Sequence, residues 1–401
     1  MDRPKVLQEV RFMRFEELYE RRLGGRLTVL EAADILGVCE RTFRRWSEKF
    51  EDSGAAGLAD KRLGRSAHNS APVDEILEML TLFETKYFDF NVSHFHQKFQ
   101  TVHGSTRSYN WTKNQLQKAG VVRKEKSSGK HRLKRTRKPL PGMMLHQDGS
   151  THEWVPGVKW DLIITFDDAT SELYSAFFVE QEGTMSTFIG VQEVIAKRGL
   201  FCSLYTDRGS HYWLTREVDG KVDKTCLTQV HRGLKQLGIE LIPAYSPEAR
   251  GRCERQFGTI QGRWPQELRL AGITEMPAAN RYIKKVLMPD FNREFTVEAE
   301  DEGSAFVPWI SGNDKIIDTL CVQEDRTVGK DNTVRYENKS LQIPADKYRH
   351  HYVKAKVKVH EYPDGSLAVF HGPRCLARYS EDGRIKENEK ALKVVREASG
   401  A

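Results

Sequence analysis

Three carboxylates in this 401-residue chain stand where chemistry could be done: Asp148 in MMLHQDGS, Asp207 in LFCSLYTDRGSHY and Glu254 in SPEARGRCERQFG. Asp148 is expected at the end of a first strand and Asp207 at the end of a fourth. Glu254 is expected about two turns into the helix after a fifth. Ligands collect at strand ends in open α/β sheets. Oxygen-only donors without Cys or His are what Mg²⁺ or Mn²⁺ prefers, and three acids from separate elements can hold two ions that share a bridging carboxylate. Such a pair activates a hydroxyl nucleophile and stabilises the leaving oxygen of an in-line phosphoryl transfer. Repulsion among the acids favours the metal-bound state.

The elements that must position these acids begin after Pro141. MMLHQDGS, KWDLIITFDDAT and ELYSAFFVEQE read as three successive strands, Thr184 to Arg198 as a helix, and LFCSLYTDRGSHY as a strand ending in Asp207. Cys226 to Leu237 reads as a helix and Ile239 to Ala244 as a short buried strand. SPEARGRCERQFG then starts a helix running to about Leu270, interrupted at Pro265. Antiparallel strands followed by alternating helix and strand describe an α/β layer fold. Asp161, Asp167 and Asp168 read as structural acids of a turn. Glu248, six residues before Glu254, points about 120° away from it on a helix and serves the helix start by dipole compensation.

Taken together, LHQDGS, YTDRGSHY and YSPEARGRCERQFGTIQGRW resemble the three acidic signatures of integrase-core transposases. This DDE group includes retroviral integrases and many enzymes of bacterial insertion sequences. The resemblance implies a ribonuclease H-like core and a metal-dependent DNA strand-transfer enzyme, with Asp148, Asp207 and Glu254 as the catalytic, metal-binding acids for Mg²⁺ or Mn²⁺. It also implies a homo-multimer working on paired DNA ends. It is strongest from about Leu145 to Arg263, and Ala279–Phe295 (ANRYIKKVLMPDFNREF) resembles the segment after the core. Two departures stand out. There are 46 residues between Asp207 and Glu254, a longer interval than in retroviral integrases, with WLTREVDGKVDKT as an expected hairpin or loop. The zinc-binding His and Cys pattern of retroviral integrases is missing at the N-terminus, where helix-turn-helix units stand instead, as in bacterial transposases.

In RLTVLEAADILGVCERTFRRWSEKF the apolar residues follow helical spacing, and Thr28 with Glu31 forms a capping-box pattern. A second helix from about Glu40 to Phe50 is expected to turn Val38, Phe43 and Trp46 inward and Glu40, Arg41, Arg44 and Arg45 outward, the arrangement of a helix that enters a major groove. Three amphipathic segments follow, near Val73–Tyr87, Asn91–Val102 and Ser108–Lys118. The last presents Arg107, Lys113 and Asn114 to DNA. His94, His96 and His103 read as packing or surface residues. Between Lys118 and Lys138 ten Lys or Arg face the single acid Glu125. This basic linker, with Lys130, Arg132, Lys134 and Arg135, suits a phosphate backbone. Arg250, Arg252 and Arg255 are expected to bind phosphates beside the acids.

Near the C-terminus Val353, Ala355, Val357 and Val359 alternate with Lys354, Lys356, Lys358 and His360 before a Pro-Asp-Gly turn. This part resembles the small β-barrel that follows the core in the same group. The six cysteines are scattered without a CxxC pair, so they indicate neither a zinc knuckle nor a disulfide framework. No apolar run reaches the length of about eighteen residues that spans a bilayer. The N-terminus is charged and helix-like, so a cytoplasmic, nucleoid-associated protein with no membrane partner is expected. The expected domains are helix-turn-helix 1–66, a second winged-helix-like helical domain 67–121, basic linker 122–141, ribonuclease H-like catalytic core 142–296, linker 297–330 and β-barrel with tail 331–401. The function these readings define is DNA transposition: binding of terminal inverted repeats, then metal-dependent cleavage and strand transfer into target double-stranded DNA. The alternative is a DNA-binding regulator, or a domesticated protein, that keeps an inactive core.

Overall fold

The structure, a computed structural model, describes residues 3–59, 71–124, 135–214, 222–223, 226–245, 250–346 and 348–386. The chain divides into two compact units, Met1–Thr81 and Leu82–Ala401.

The first unit is built on α1 (Arg3–Leu23), α2 (Val29–Leu36), α3 (Glu40–Ser53) and the single turn α4 (Ala55–Leu58). Thr28 and Glu31 form the reciprocal capping box at the start of α2, and Gly37 ends that helix at φ 75°, a left-handed conformation that costs a side-chain-bearing residue energy. The turn thereby sends α3 across α1. Phe15, Leu18 and Tyr19 of α1 close with Ala32, Ala33 and Phe43 into one core, against which Val38, Trp46 and Phe50 pack. Arg41, Arg44 and Arg45 lie on the exposed face of α3, with Arg44 paired to Glu40 one turn earlier.

α5 (Val73–Thr85), α6 (Val92–Thr101) and α7 (Tyr109–Lys118) follow the three amphipathic segments. Asn91 caps α6 by accepting from the His94 N–H, and Ser108 caps α7 by accepting from the Trp111 N–H. In the second unit α6 docks on the residues that end the acid-bearing helix of the core. Asn91 donates to the Gly262 carbonyl at 2.9 Å, and Glu267 takes both buried His94 and Lys98 at 2.6 Å.

The core sheet contains β1 (Leu145–Val155), β2 (Val158–Asp167), β3 (Leu173–Val179), β4 (Ser203–Thr206) and β5 (Glu240–Pro243), in the order β3-β2-β1-β4-β5. β1–β2 and β2–β3 are antiparallel, whereas β1–β4 and β4–β5 are parallel. The connections are α8 (Thr184–Arg198) and α9 (Gln229–Gln236). After β5 come α10 (Gly251–Gln261), α11 (Trp264–Leu270), α12 (Met276–Tyr282), a π-helical turn Ile283–Leu287, α13 (Met288–Phe295) and α14 (Asn313–Thr319).

Apolar residues of the strands face two ways. Leu162, Ile164 and Phe166 pack with Cys253, Phe257, Ile260 and Trp264, while Leu145 and Leu204 pack with Phe188, Val191, Trp213 and Val230. Burying both faces is what strands with near-continuous apolar runs require. The exposed edge of β3 is closed by two asparagines of the segment after the core. Asn280 pairs through its amide with the N–H and C=O of Phe178, and Asn292 does the same with Leu173. A side-chain amide supplies the donor and acceptor that a further strand would otherwise supply. Residues 297–330, expected as a linker, are laid against the core: Val307 bridges Leu200, and Ile316 and Leu320 enter the apolar cluster of α8 and α9.

β6 (Val322–Thr327), β9 (Lys356–Glu361), β10 (Leu367–His371) and β11 (Arg374–Tyr379) form a four-stranded antiparallel sheet in the order β11-β10-β9-β6; β7 (Thr333–Tyr336) and β8 (Lys339–Gln342) form a separate hairpin. The expected closed barrel is not what these strands form among the described residues; two open sheets share one apolar core instead. The alternation also breaks in β9. Val357 and Val359 are buried and Lys356 and Lys358 exposed as expected, but His360 is buried too, stacked on Phe370 at 4.1 Å. A second small cluster, Cys321, Tyr362, Ala368 and Phe370, covers that face of the sheet.

Burial holds the His360 imidazole down at about 4, below its ordinary value. A base depressed in the fold contributes stability that is present above the unfolded value near 6.5 and lost as pH falls to about 4, because the unfolded chain takes the proton first. Over that window His360 costs the C-terminal sheet up to about 3 kcal/mol. His360→Leu, which keeps the packing and removes the proton site, is expected to flatten the fall of Tm between pH 6.5 and 4. An unchanged slope would assign the acid sensitivity to other groups.

Candidate active site

Asp148 lies inside β1 rather than at its end, because Thr151, His152 and Glu153 continue the strand by pairing with β2 as far as Val155. His146 of β1 pairs in parallel with Tyr205 of β4. Continuing that register by two residues sets Asp148 beside Asp207, which follows the last residue of β4. Asp148 is 5% exposed, and Asp207 is half-buried with its carboxylate accepting from the Gly209 N–H at 2.8 Å.

The group between them is Arg250. Its Nη2 donates to both Asp148 oxygens, at 2.6 and 2.5 Å, and its Nη1 lies 3.7 Å from Asp207 Oδ2. Burial pushes the Asp148 carboxyl up to about 6, against the opposing pull of Arg250. Two carboxylates drawn from adjacent strands therefore surround one cationic group.

Glu254 is placed differently from its sequence expectation. The described part of its helix begins at Gly251, not at Ser246, so Glu254 sits in the first turn of α10 rather than about two turns in. It is exposed, and no hydrogen bond or ion pair holds it among the described residues. Four residues after Arg250, it lies one turn along on the same face of the helix. Among the described residues no three His, Cys, Asp or Glu side chains are gathered closely enough to hold a metal ion, so the three acids are not brought together. Residues 246–249, with Glu248, lie outside the described residues.

Two further side chains join the acids. Glu182 follows β3, and its carboxylate lies so close to the backbone next to Asp148 that a Cβ on Gly149 would come within 2.3 Å of its Oε2 unless the Glu182 side chain shifted. His211 Nε2, buried and without a hydrogen-bond partner, is 3.6 Å from Glu182 Oε1. Both residues lie in quoted motifs, ELYSAFFVEQE and YTDRGSHY, but nothing in their spacing separates them from surface residues.

A second charged centre lies beneath the first. Asp168 is fully buried and accepts from His146 Nε2 at 2.7 Å, from the Lys138 N–H at 2.8 Å, and from Arg135 and Arg252. Burial alone would push this carboxyl up, but His146, the Lys138 N–H and Arg252 hold it well below the usual carboxylate range. Arg137 grips the adjacent carbonyls of Asp168 and Ala169. Asp161 accepts from Thr151 and the Glu182 N–H, and Asp167 accepts from Gly142 and Thr170, so these acids hold turns and strand ends. The Cys253 thiol, raised by burial, lies 3.7 Å from His146 Nδ1.

Of the arginines expected at phosphates, Arg250 is committed to Asp148, and Arg252, with a side chain 16% exposed, is committed to Asp168. Arg135 shares Asp168 from the linker end but stays partly exposed, and Arg255 is exposed. Arg107 lies over the Trp111 ring, Lys113 lies over Tyr109, and Asn114 is exposed. Lys130, Arg132 and Lys134 lie outside the described residues. The imidazoles of His94, His96 and His103 meet Glu267, Thr112 and Tyr87.

Sheet, acids and N-terminal helices together define a DNA-binding protein with a mixed α/β domain. Residues 21–74 match the winged helix-turn-helix family. The chain is 28% identical over 356 residues to a putative transposase of Sinorhizobium fredii, y4bF, covering 88% of this chain and 77% of that one. It is 26% identical over 224 residues to the transposase of insertion sequence IS1202 from Streptococcus pneumoniae, covering 56% of this chain and 47% of the relative. Among solved structures, the simian T-cell lymphotropic virus intasome in complex with a PP2A regulatory subunit aligns with a TM-score of 0.34 at 13% identity, over 72% of this chain and 91% of that one. The HTLV-2 integrase catalytic core in complex with magnesium aligns at 0.29 and 17%, over 37% and 87%. This chain is thus similar to transposases, one of them that of an insertion sequence, as the resemblance read from the sequence implied.

Proposed function

We propose that the protein is a DNA transposase that binds the terminal inverted repeats of its own insertion sequence, cleaves DNA with divalent-metal help and joins the freed 3′-OH to target DNA. The observation that carries this reading is the pair of carboxylates on adjacent strands, Asp148 and Asp207, closed around a single cation in the form of Arg250. The donors are all oxygen, as Mg²⁺ and Mn²⁺ prefer. Asp148 and Asp207 would hold the metal, with Glu254 as the third acid from α10. A pair of ions held there would supply a lowered pKa for an attacking water and charge stabilisation for the leaving oxygen. The sheet order, three antiparallel strands continued by two parallel ones, supports a ribonuclease H-like core.

The chain's own residues do the rest. Exposed Arg41, Arg44 and Arg45 on α3 bind the element ends, where phosphate contacts fix register and base edges specify sequence. Lys113 and Asn114 on α7 and the linker basics extend that grip. Arg255, next to Glu254 and exposed, holds phosphate near the acids. The enzyme acts in the cytoplasm on nucleoid DNA as a homo-multimer on paired ends. Incubation of the full chain with its own flanking DNA and Mg²⁺ or Mn²⁺, scoring cleavage and joining separately, tests the reading. Joined products are expected. Cleavage without joining would make the protein a nuclease, and end binding with neither would make it a regulator.

A further inference from the structure

We propose that Arg250 is a latch that occupies the cation site between Asp148 and Asp207 and must leave before a divalent ion can enter; this rests on the reading of those acids as metal ligands. Its guanidinium uses the very oxygens an ion would need: both oxygens of Asp148, within 2.6 Å, and Oδ2 of Asp207 at 3.7 Å. Asp148 is nearly sealed from water, so an ion beside the guanidinium would set like charges together in a low-dielectric pocket.

Two comparisons within the molecule separate a latch from a permanent strut. Arg252, two residues on, meets Asp168 with further anchors on the Asp168 and Arg135 carbonyls, and its side chain is 16% exposed. Arg250 has no carbonyl anchor among its described hydrogen bonds, and its side chain is 35% exposed. It occupies the N-cap position of α10, with helical φ and ψ and no side-chain cap hydrogen bond. The one arginine is built in, whereas the other reaches the acids from a helix end and can withdraw to solvent. Glu254 follows one turn later on the same face of α10, so withdrawal of Arg250 clears the side from which the third acid would approach.

The test is Mn²⁺ binding to the full-length, DNA-free protein, read from loss of the free-ion electron paramagnetic resonance signal. Arg250→Gln is expected to bind Mn²⁺ at least tenfold more tightly than the unsubstituted chain. Arg250→Lys, which keeps the charge but loses the fork, is expected to fall between. Adding Asp148→Asn to Arg250→Gln is expected to abolish the gain. Equal, Asp148-dependent affinities with and without Arg250 would overturn the latch and leave the metal reading standing. No Asp148-dependent binding in any variant would overturn both. Arg250→Lys also guards against misfolding, since a graded series in affinity does not arise from a collapsed site.

Discussion

Replacing Asp207 by Asn is expected to abolish strand transfer while leaving binding to the element ends unchanged. Asn keeps the shape of the side chain and one acceptor oxygen, so the turn after β4, in which the carboxylate accepts from the Gly209 N–H, can persist. What disappears is the negative charge opposite Asp148, across the position now taken by Arg250. A metal ion contributes several kcal/mol of transition-state stabilisation, and each 1.36 kcal/mol is about tenfold in rate, so a loss of at least ~10³ in joining is expected. End binding is expected to survive because the exposed Arg41, Arg44 and Arg45 belong to the first compact unit and Asp207 to the second. Mobility-shift assays on labelled ends, run beside a joining assay on the same preparation, separate the two properties. Joining at the original rate by the Asn variant would remove Asp207 from the chemistry and sink the mechanism.

The second large effect is expected at Asp168, which reaches no substrate. Replacing it with Ala leaves Arg252, Arg135 and His146 facing a buried vacancy, and breaking one side of a buried ion pair typically costs about 3–5 kcal/mol. A clear drop in the urea midpoint of the core transition is expected, smaller for Asn, which keeps an acceptor for the Lys138 N–H. The pH dependence carries the same signature. A carboxyl held below its unfolded value contributes stability that is present above about pH 4 and lost as pH falls further, so the difference between the parent and Asp168→Ala is expected to shrink below that pH. A midpoint within error of the parent would show that the charges compensate one another without it. Because Asp168 ties His146, two residues before Asp148, to Arg252, two before Glu254, its loss is also expected to loosen the placement of both acids.

Much of the architecture was legible along the chain. The capping box at Thr28 and Glu31, the caps at Asn91 and Ser108 and the apolar faces of α3, α6 and α7 are set by neighbours within a few residues, so periodicity reveals them. Strands β2 and β3 were visible because both faces are buried and their apolar runs are continuous. The extension of β1 past Asp148 was not, because THEWV is a strand only by virtue of its partner β2. His360 broke the alternation of its strand because Phe370, across the β9–β10 hairpin, stacks on it and a satellite cluster that also takes in distant Cys321 lies on the face expected to be wet. The closed C-terminal barrel was an expectation from resemblance, and the strand pairing separated it into a sheet and a hairpin.

By itself, the sequence determined which residue types were available and in what order: three acids in strand and helix context, a helix-turn-helix ahead of them, and arginines beside the last acid. Local spacing is enough for that, since helix and strand periods repeat every few residues. Only the tertiary structure decided which charge answers which. Arg250 and Asp148 are 102 positions apart and Arg252 and Asp168 84 apart, and neither pairing exists until β1, β4 and α10 have converged. Two arginines expected at DNA therefore met buried carboxylates instead, because a carboxylate removed from water needs a partner of opposite charge, and the chain path set those within reach.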